Sequence, residues 1–538
     1  MSRVIPLILL AAGVLVGYLL MQRADVPLPA VNVTTLERGN GPEPESVDPH
    51  LARTTQAHNV LRDLFEGLLT YDAAGELAAG VAERWDVSDD GLEYRFFLRE
   101  HARWSDGAPV TAQDFVYSFR RLVDPATAAF YAELLAPVVN AQAIVAGEMA
   151  PDTLGVRAVS ERELTITLER PVAHFLLLLT QPPTFPVQRA NIEAHGARFA
   201  RAGNLVSNGA YALHDWTLGA VIELRRNDSY WNNAETGIDI VRHHVAEEPG
   251  AELRRYLAGE LDITSTVPSE AFERMQRERP NELRVASSLG VYYLGFNLTK
   301  PKLRDNPKLR EALSLAIDRE LIASQVVGRG ELPAYSFVPP GIANYEPPSF
   351  PYASWTAAER HERARRLYEE AGYGPDKPLD VELRYNTSET HQRVAIAVQD
   401  MWREVLGFEA ELTNEEFKVL VANVQAMQVT EIFRLNWNGD YNDAYSFLSI
   451  LESGNPSNLF AYRNDEYDEL LESAARQTDA DRRRIFMEEG EALMLSEHPM
   501  IPIYFYVGEH MVSLRVQGWQ DNILDYHYSQ HLRIVEDR

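Results

Sequence analysis

The sequence predicts an α/β protein built from two or three packed domains. Its 538 residues exceed what one hydrophobic core normally serves, and 45% of them are hydrophobic, enough to fill more than one. Helix and strand patterns alternate along the chain. After residue 50 there is no internal repeat, low-complexity tract or long linker, so the body reads as one continuous multi-domain unit.

From Val4 to Met21, 18 uncharged and mostly apolar residues lie between Arg3 and Arg23. As a helix they would reach roughly 27 Å across the ~30 Å bilayer core. The nearest cleavage-site candidate, Leu28-Pro29-Ala30, fits poorly, so residues 1–24 are expected to form an uncleaved anchor in preference to a removed signal peptide. Residues 25–45, with prolines from Pro27 to Pro44, are expected to be a spacer. In the body, Thr111-Ala112-Gln113-Asp114 is a capping-box variant. It opens a helix with Phe115, Phe119, Leu122 and Val123 on one face, which Asp124-Pro125 closes. Asn306-Pro307 starts a second helix with the stripe Leu309, Ala312, Leu313, Ala316, Ile317 and Leu321. Thr356 with Glu359 starts a third, running to Gly372. These stripes face a core. Strand patterns cover 94–98, 164–168, 221–224, 381–385 and 501–507.

Charge and motifs exclude several functions. The net charge of −28 is spread along the chain, which argues against a nucleic-acid partner. There is no cysteine, hence no disulfide, thiolate nucleophile or lipid-attachable cysteine. No phosphate-binding G-x-x-x-x-G-K-[ST] loop, G-x-S-x-G elbow or H-E-x-x-H helix is present. His243-His244 are neighbours whose side chains would leave a strand on opposite faces, so a surface or loop role is expected over metal ligation. Residues 86–91 and 440–443 hold oxygen ligands at short spacing without completing a calcium loop. No enzyme activity, metal or cofactor is expected.

The segment 430–443 carries more information. Phe433, Leu435 and Trp437 alternate with Arg434 and Asn436, the pattern of a half-buried strand, and Asn438-Gly439 breaks it. Asp440 then projects from the strand end, expected beside Arg434 and a large aromatic. The residues alone favour a plain reading, with Asp440 capping the next turn and Arg434 in a structural ion pair.

An ordered set of motifs changes that balance. It comprises Asp48-Pro49-His50, the run from Arg62 to Leu69, the run from Trp104 to Tyr117, Asn208-Gly209-Ala210-Tyr211, the run from Asn227 to Trp231, Leu315-Ala316-Ile317-Asp318-Arg319, Tyr385-Asn386-Thr387-Ser388 and the run from Trp437 to Asp440. From about Ser46 to its end the sequence resembles the oligopeptide-binding proteins of peptide ABC importers. The resemblance implies a two-lobed periplasmic-binding-protein-like fold with an extra α/β domain. One lobe would comprise 46–65, 190–290 and 508–538, the inserted domain 66–189, and the other lobe 291–507. A short peptide would lie extended in the cleft between the lobes, bonded through its backbone, with its side chains in hydrated pockets. Asp440 matches the carboxylate that meets the peptide's α-ammonium. Trp437 matches an aromatic pocket wall, and Arg434 and His391 match positions that meet its C-terminal carboxylate. Asn436, Asn438 and Tyr131 complete the expected ligand contacts.

The implied partners are short peptides and an inner-membrane permease with separate ATPase subunits, served by a periplasmic monomer tethered to the inner membrane. Similar-looking relatives bind dipeptides, cell-wall peptides, nickel chelates or sugars, and a membrane-tethered sensor is a further alternative. The sequence also departs from the pattern. Val327 and Val424 or Gln425 stand where basic residues are expected at the carboxylate end, and Arg53-Thr54-Thr55 replaces an acidic and apolar segment.

Overall fold

A computed structural model describes residues 33–427 and 431–535. The chain enters the first lobe through β1 (Thr35–Gly39) and α1 (Thr55–Leu64). An inserted unit comes next, with β2 (Ala82–Val87), β3 (Glu93–Leu98), α2 (Ala112–Val123), β4 (Val156–Ser160) and β5 (Glu163–Thr167). Its antiparallel sheet runs β2-β3-β5-β4. The cap at α2 forms as its sequence suggests, because the Asp114 carboxylate accepts from the Thr111 N–H at 2.8 Å and from its hydroxyl at 2.9 Å. The chain then returns to the first lobe with β6 (Tyr211–Thr217), β7 (Val221–Arg226) and β8 (Ile240–His244), giving the sheet β1-β8-β7-β6.

The second lobe is built on a six-stranded mixed sheet. Its elements include β9 (Leu283–Phe296), α3 (Pro307–Leu315), β10 (Leu332–Pro333), α4 (Ala357–Glu370), β11 (Glu382–Asn386) and α5 (Glu389–Leu406). Then come β12 (Glu411–Glu415), α6 (Phe417–Ala426), β13 (Ile432–Asn438), α7 (Asp465–Arg476), α8 (Ala480–Glu497) and β14 (Met500–Met511). The sheet order is β10-β14-β9-β13-β11-β12. Asn306 and Thr356 cap α3 and α4 by accepting from the N–H groups of Leu309 and Glu359.

Two large apolar cores make the molecule two-lobed. One gathers Leu36, Phe65, Trp104, Phe115, Tyr211 and Val241 from the first lobe and the inserted unit. The other gathers Val291, Leu313, Leu383, Trp402, Phe433 and Ile503. The chain passes between them on β9 and β14, which pair antiparallel and shift register between Ser287 and Val291. Thr264 Oγ1 accepts from the Met511 N–H at 2.9 Å, fastening one end of this ribbon to the first lobe. At the other end, Gly290 to Phe296 of β9 pair with β13.

Several expectations change. Within the supposed spacer, Thr35–Gly39 is a strand parallel to β8, with Glu37 bonded to both Arg242 and His244. His243 is neither on the surface nor in a loop. It is fully buried on β8, its Nε2 lying 3.0 Å from Asp63, while His244 does leave on the other face toward Glu37. The first half of β13 does not alternate, since Ile432, Phe433, Arg434 and Leu435 are all buried where the strand pairs with β9 and β11. Leu321 lies beyond α3 in a separate turn and is 38% exposed. The expected anchor at 1–24 lies outside the described residues, and among those described no helix is long and apolar enough to cross a membrane.

Candidate functional site

Opposite ends of β13 carry opposite charges that the protein does not neutralise. At the interior end, Arg434 is 3% exposed. Its Nη1 donates to Asn386 Oδ1 at 2.9 Å, its Nη2 donates to the Tyr506 hydroxyl at 2.8 Å, and its guanidinium lies 4.4 Å from the Tyr292 ring centre. Among the described residues no carboxylate pairs with it. A buried cation without a counter-ion is costly, so its neighbours only partly stabilise it. His391, in the first turn of α5, packs 5.6 Å from the same tyrosine ring, and its Nδ1 is buried without a partner among the described residues. Burial, and then the Arg434 charge, push its pKa down to about 3, so the ring is neutral.

At the far end the chain turns sharply. Gly439 N–H donates to Leu289 O at 2.8 Å, and a Cβ on residue 439 would come within 2.6 Å of the Phe447 ring. Ser446 holds both flanks of this turn. Its Oγ accepts from the Asp440 N–H at 2.9 Å, and its carbonyl accepts from the Trp437 indole N–H at 2.7 Å. The Asp440 carboxylate has no hydrogen-bond or ion-pair partner among the described residues. Solvent reaches it, yet the surrounding walls are close enough that desolvation raises its pKa. The inserted unit faces it with Tyr131 and Glu133. The Glu133 pKa is raised by burial and also by the Asp440 charge. Tyr131 donates its hydroxyl proton to Arg53 O at 3.2 Å.

The predicted residues therefore fall into two groups. Asp440 and Trp437 meet through Ser446 with Tyr131 opposite, while Arg434 and His391 meet across Tyr292. Asp440 is not paired with Arg434, and neither residue takes the plain role. Asp443 caps the next turn by accepting from the Tyr445 N–H at 2.8 Å, and Arg434 has no ion pair among the described residues. Asn436 is half-buried and Asn438 exposed, on the strand face that also bears Arg434. Val327 and Val424 are buried in the core of the second lobe, and Gln425 is exposed. Thr54 caps α1, and Glu45 accepts from the Arg53 and Thr54 N–H groups, which makes that segment structural. Glu133 and Ser446 escape sequence reading because nothing local marks them. Asn386 and Tyr506 sit within stretches already read as a motif and a strand.

A cavity of about 540 Å³ opens beside the acidic end, lined by Thr55, Gln56 and Glu252 from the first lobe and by Leu289, Asn438 and Gly439 from the second. The arrangement can hold an extended molecule with a cation at one end and an anion at the other.

Comparison with known proteins agrees with this geometry. Residues 76–458 match the bacterial extracellular solute-binding proteins, family 5. The sequence is 37% identical to the periplasmic oligopeptide-binding protein OppA of Escherichia coli K12, over 98% of each chain. It is 38% identical to the periplasmic murein peptide-binding protein MppA of the same organism, over 92% of each. The unliganded open form of MppA superposes with a TM-score of 0.89 at 37% identity, covering 94% of this chain and 98% of that one. A second E. coli MppA structure gives 0.74 at 38% identity, covering 94% and 99%. The chain thus superposes more closely on the unliganded open form than on the second structure, at near-equal identity.

Proposed function

Because the chain belongs to the bacterial extracellular solute-binding proteins of family 5, we propose that it captures short peptides outside the cytoplasmic membrane and presents them to an ABC permease with separate ATPase subunits. It works as a monomer, and no bond is made or broken. The observation that carries this reading is the pair of uncompensated charges at β13, Asp440 just beyond its end for an α-ammonium and Arg434 within it for a terminal carboxylate. The two are six residues apart, at most about 20 Å along a strand. An extended peptide advances about 3.3–3.6 Å per residue, so a backbone span of that length corresponds to about six residues before the reach of the two side chains is counted. Trp437 and Tyr131 line the ammonium end, and His391, as a neutral donor or acceptor, assists Arg434.

Calorimetry with a tripeptide or tetrapeptide and its N-acetyl counterpart tests the assignment. Acetylation, or Asp440→Asn, removes one partner of a charge pair desolvated on closure. That costs about 3–5 kcal/mol, a loss in affinity of about a hundredfold or more. Equal binding of free and acetylated peptides would falsify the role of Asp440.

Cell-wall peptides are the competing ligand class, because the murein peptide-binding relative is as similar as the oligopeptide-binding one. Native mass spectrometry of the purified protein separates the two, a ladder of adducts supporting mixed peptides and a single adduct a dedicated ligand. The intact mass of protein extracted from membranes decides whether the stretch from Val4 to Met21 is kept as a tether.

A further inference from the structure

Beyond the peptide cleft, one group of side chains has the chemistry of a different ligand. His510 lies on β14 where the ribbon reaches the first lobe, and Asp525 and His527 lie on the C-terminal segment packed against it. His510 Nε2 is 2.8 Å from Asp525 Oδ1, and His527 Nε2 is 3.1 Å from the same oxygen. The three ligand atoms all lie within 4.8 Å of one another. An ion of the zinc class holds N and O ligands at about 2.0–2.2 Å, which separates them by about 3–4 Å, so only small side-chain adjustments are needed.

We propose that His510, Asp525 and His527 form a binding site for a divalent first-row transition-metal ion, with zinc as its representative. The surroundings are arranged for this. His510 Nδ1 faces the Thr264 carbonyl at 2.9 Å, and a carbonyl only accepts, so Nδ1 carries the proton and Nε2 is the nitrogen turned inward. His527 is stacked on Trp519 with ring centres 3.6 Å apart, and its carbonyl accepts from Arg38 Nη1 at 2.9 Å, which fixes the ring and backbone together. Asp525 has φ +57°, a left-handed conformation that a non-glycine residue adopts only when its surroundings hold it there. Gly508 makes room for it, since a Cβ at 508 would come within 2.9 Å of the carboxylate.

The rival reading is a metal-free hydrogen-bonded triad. In that triad Asp525 Oδ1 accepts from both rings with its two lone pairs, whereas an ion takes the same three atoms as ligands and displaces the protons on the two Nε2 atoms. All three side chains also line the cavity of about 540 Å³ between the lobes. A three-ligand ion there keeps a coordination position open for water or a ligand group.

Trp519 is a built-in reporter. Titrating chelator-treated full-length protein with Zn²⁺ should change its tryptophan fluorescence and saturate at one equivalent. Co²⁺ should give visible d–d absorption, and His527→Asn and Asp525→Asn should each weaken both by at least about tenfold. His101→Asn, at an exposed position, should leave both unchanged. No saturation up to millimolar metal, or binding that survives His510→Gln with His527→Asn, overturns the site. If these variants lose their circular dichroism, the unaltered protein still decides. Paramagnetically shifted ring N–H resonances from histidine in the Co²⁺ form support the proposal, and their absence overturns it. None of these readouts involves peptide capture.

Discussion

His391 and Arg434 share one pocket but differ in what they bring to a carboxylate. Folded His391 resists protonation down to about pH 3, whereas the unfolded ring takes a proton near its ordinary 6.5. The unfolded state therefore binds more protons between those values. The stability associated with the neutral ring is full above about pH 6.5 and is lost as pH falls toward 3. In urea unfolding, His391→Asn should accordingly gain stability relative to the unaltered protein at pH 5 compared with pH 8, and a difference independent of pH would contradict a neutral ring. Arg434 must then supply the charge. Arg434→Gln should erase the preference for a free peptide over its C-terminal amide in calorimetry. It should not lower the unfolding free energy by more than about 1 kcal/mol, because a buried cation lacking a counter-ion is removed. At this scale the sequence was legible where chemistry is local. The alternation about Arg434 and the break at Asn438-Gly439 mark a strand that ends in a carboxylate. Glu133 and Ser446 were not legible, because each acts on Asp440 from an element whose approach only tertiary packing sets.

The short loop after β13 turns that strand into a site. Gly439 is needed for close approach, not for backbone freedom, since the Phe447 ring occupies the space a methyl would take. Gly439→Ala should push the loop outward, costing about 1–3 kcal/mol as an overpacked contact. Because Asp440 moves with the loop, peptide affinity should fall by about tenfold while circular dichroism keeps its folded signature. Affinity unchanged under that substitution would mean that the loop does not position Asp440. Elements with strong end signals, such as α2 and α4, could be read from their caps. β1 could not, because a five-residue strand among prolines and charges is defined by pairing Thr35 with Ile240, some two hundred residues away. The burial of β13 was hidden for a related reason, since a charge in mid-strand suggests a wet face until Asn386, Tyr506 and Tyr292 are seen to cover it.

Lobe closure is governed by the same charges acting across the whole molecule. Both chain crossings lie in one antiparallel ribbon, and its register shift between Ser287 and Val291 interrupts the ladder of backbone bonds where bending is needed. Asp440 of the second lobe faces Glu133 of the inserted unit; burial and then the Asp440 charge raise the Glu133 pKa, and burial raises that of Asp440. Closing the cleft without a cation would bring these carboxylates together in a drier space, where their repulsion grows. An incoming ammonium reverses the sign of that interaction, so ligand binding and closure become one event, a differential affinity for the closed state. In small-angle scattering, a bound peptide should reduce the radius of gyration, and Asp440→Asn should abolish that response at the same peptide concentration. Glu133→Gln should shift the peptide-free protein toward the compact form, and raising ionic strength should do the same more weakly in the unaltered protein. A peptide-free radius identical in Glu133→Gln and the unaltered protein would show that like-charge repulsion does not hold the lobes apart. The resting position would then have to be set by the ribbon alone.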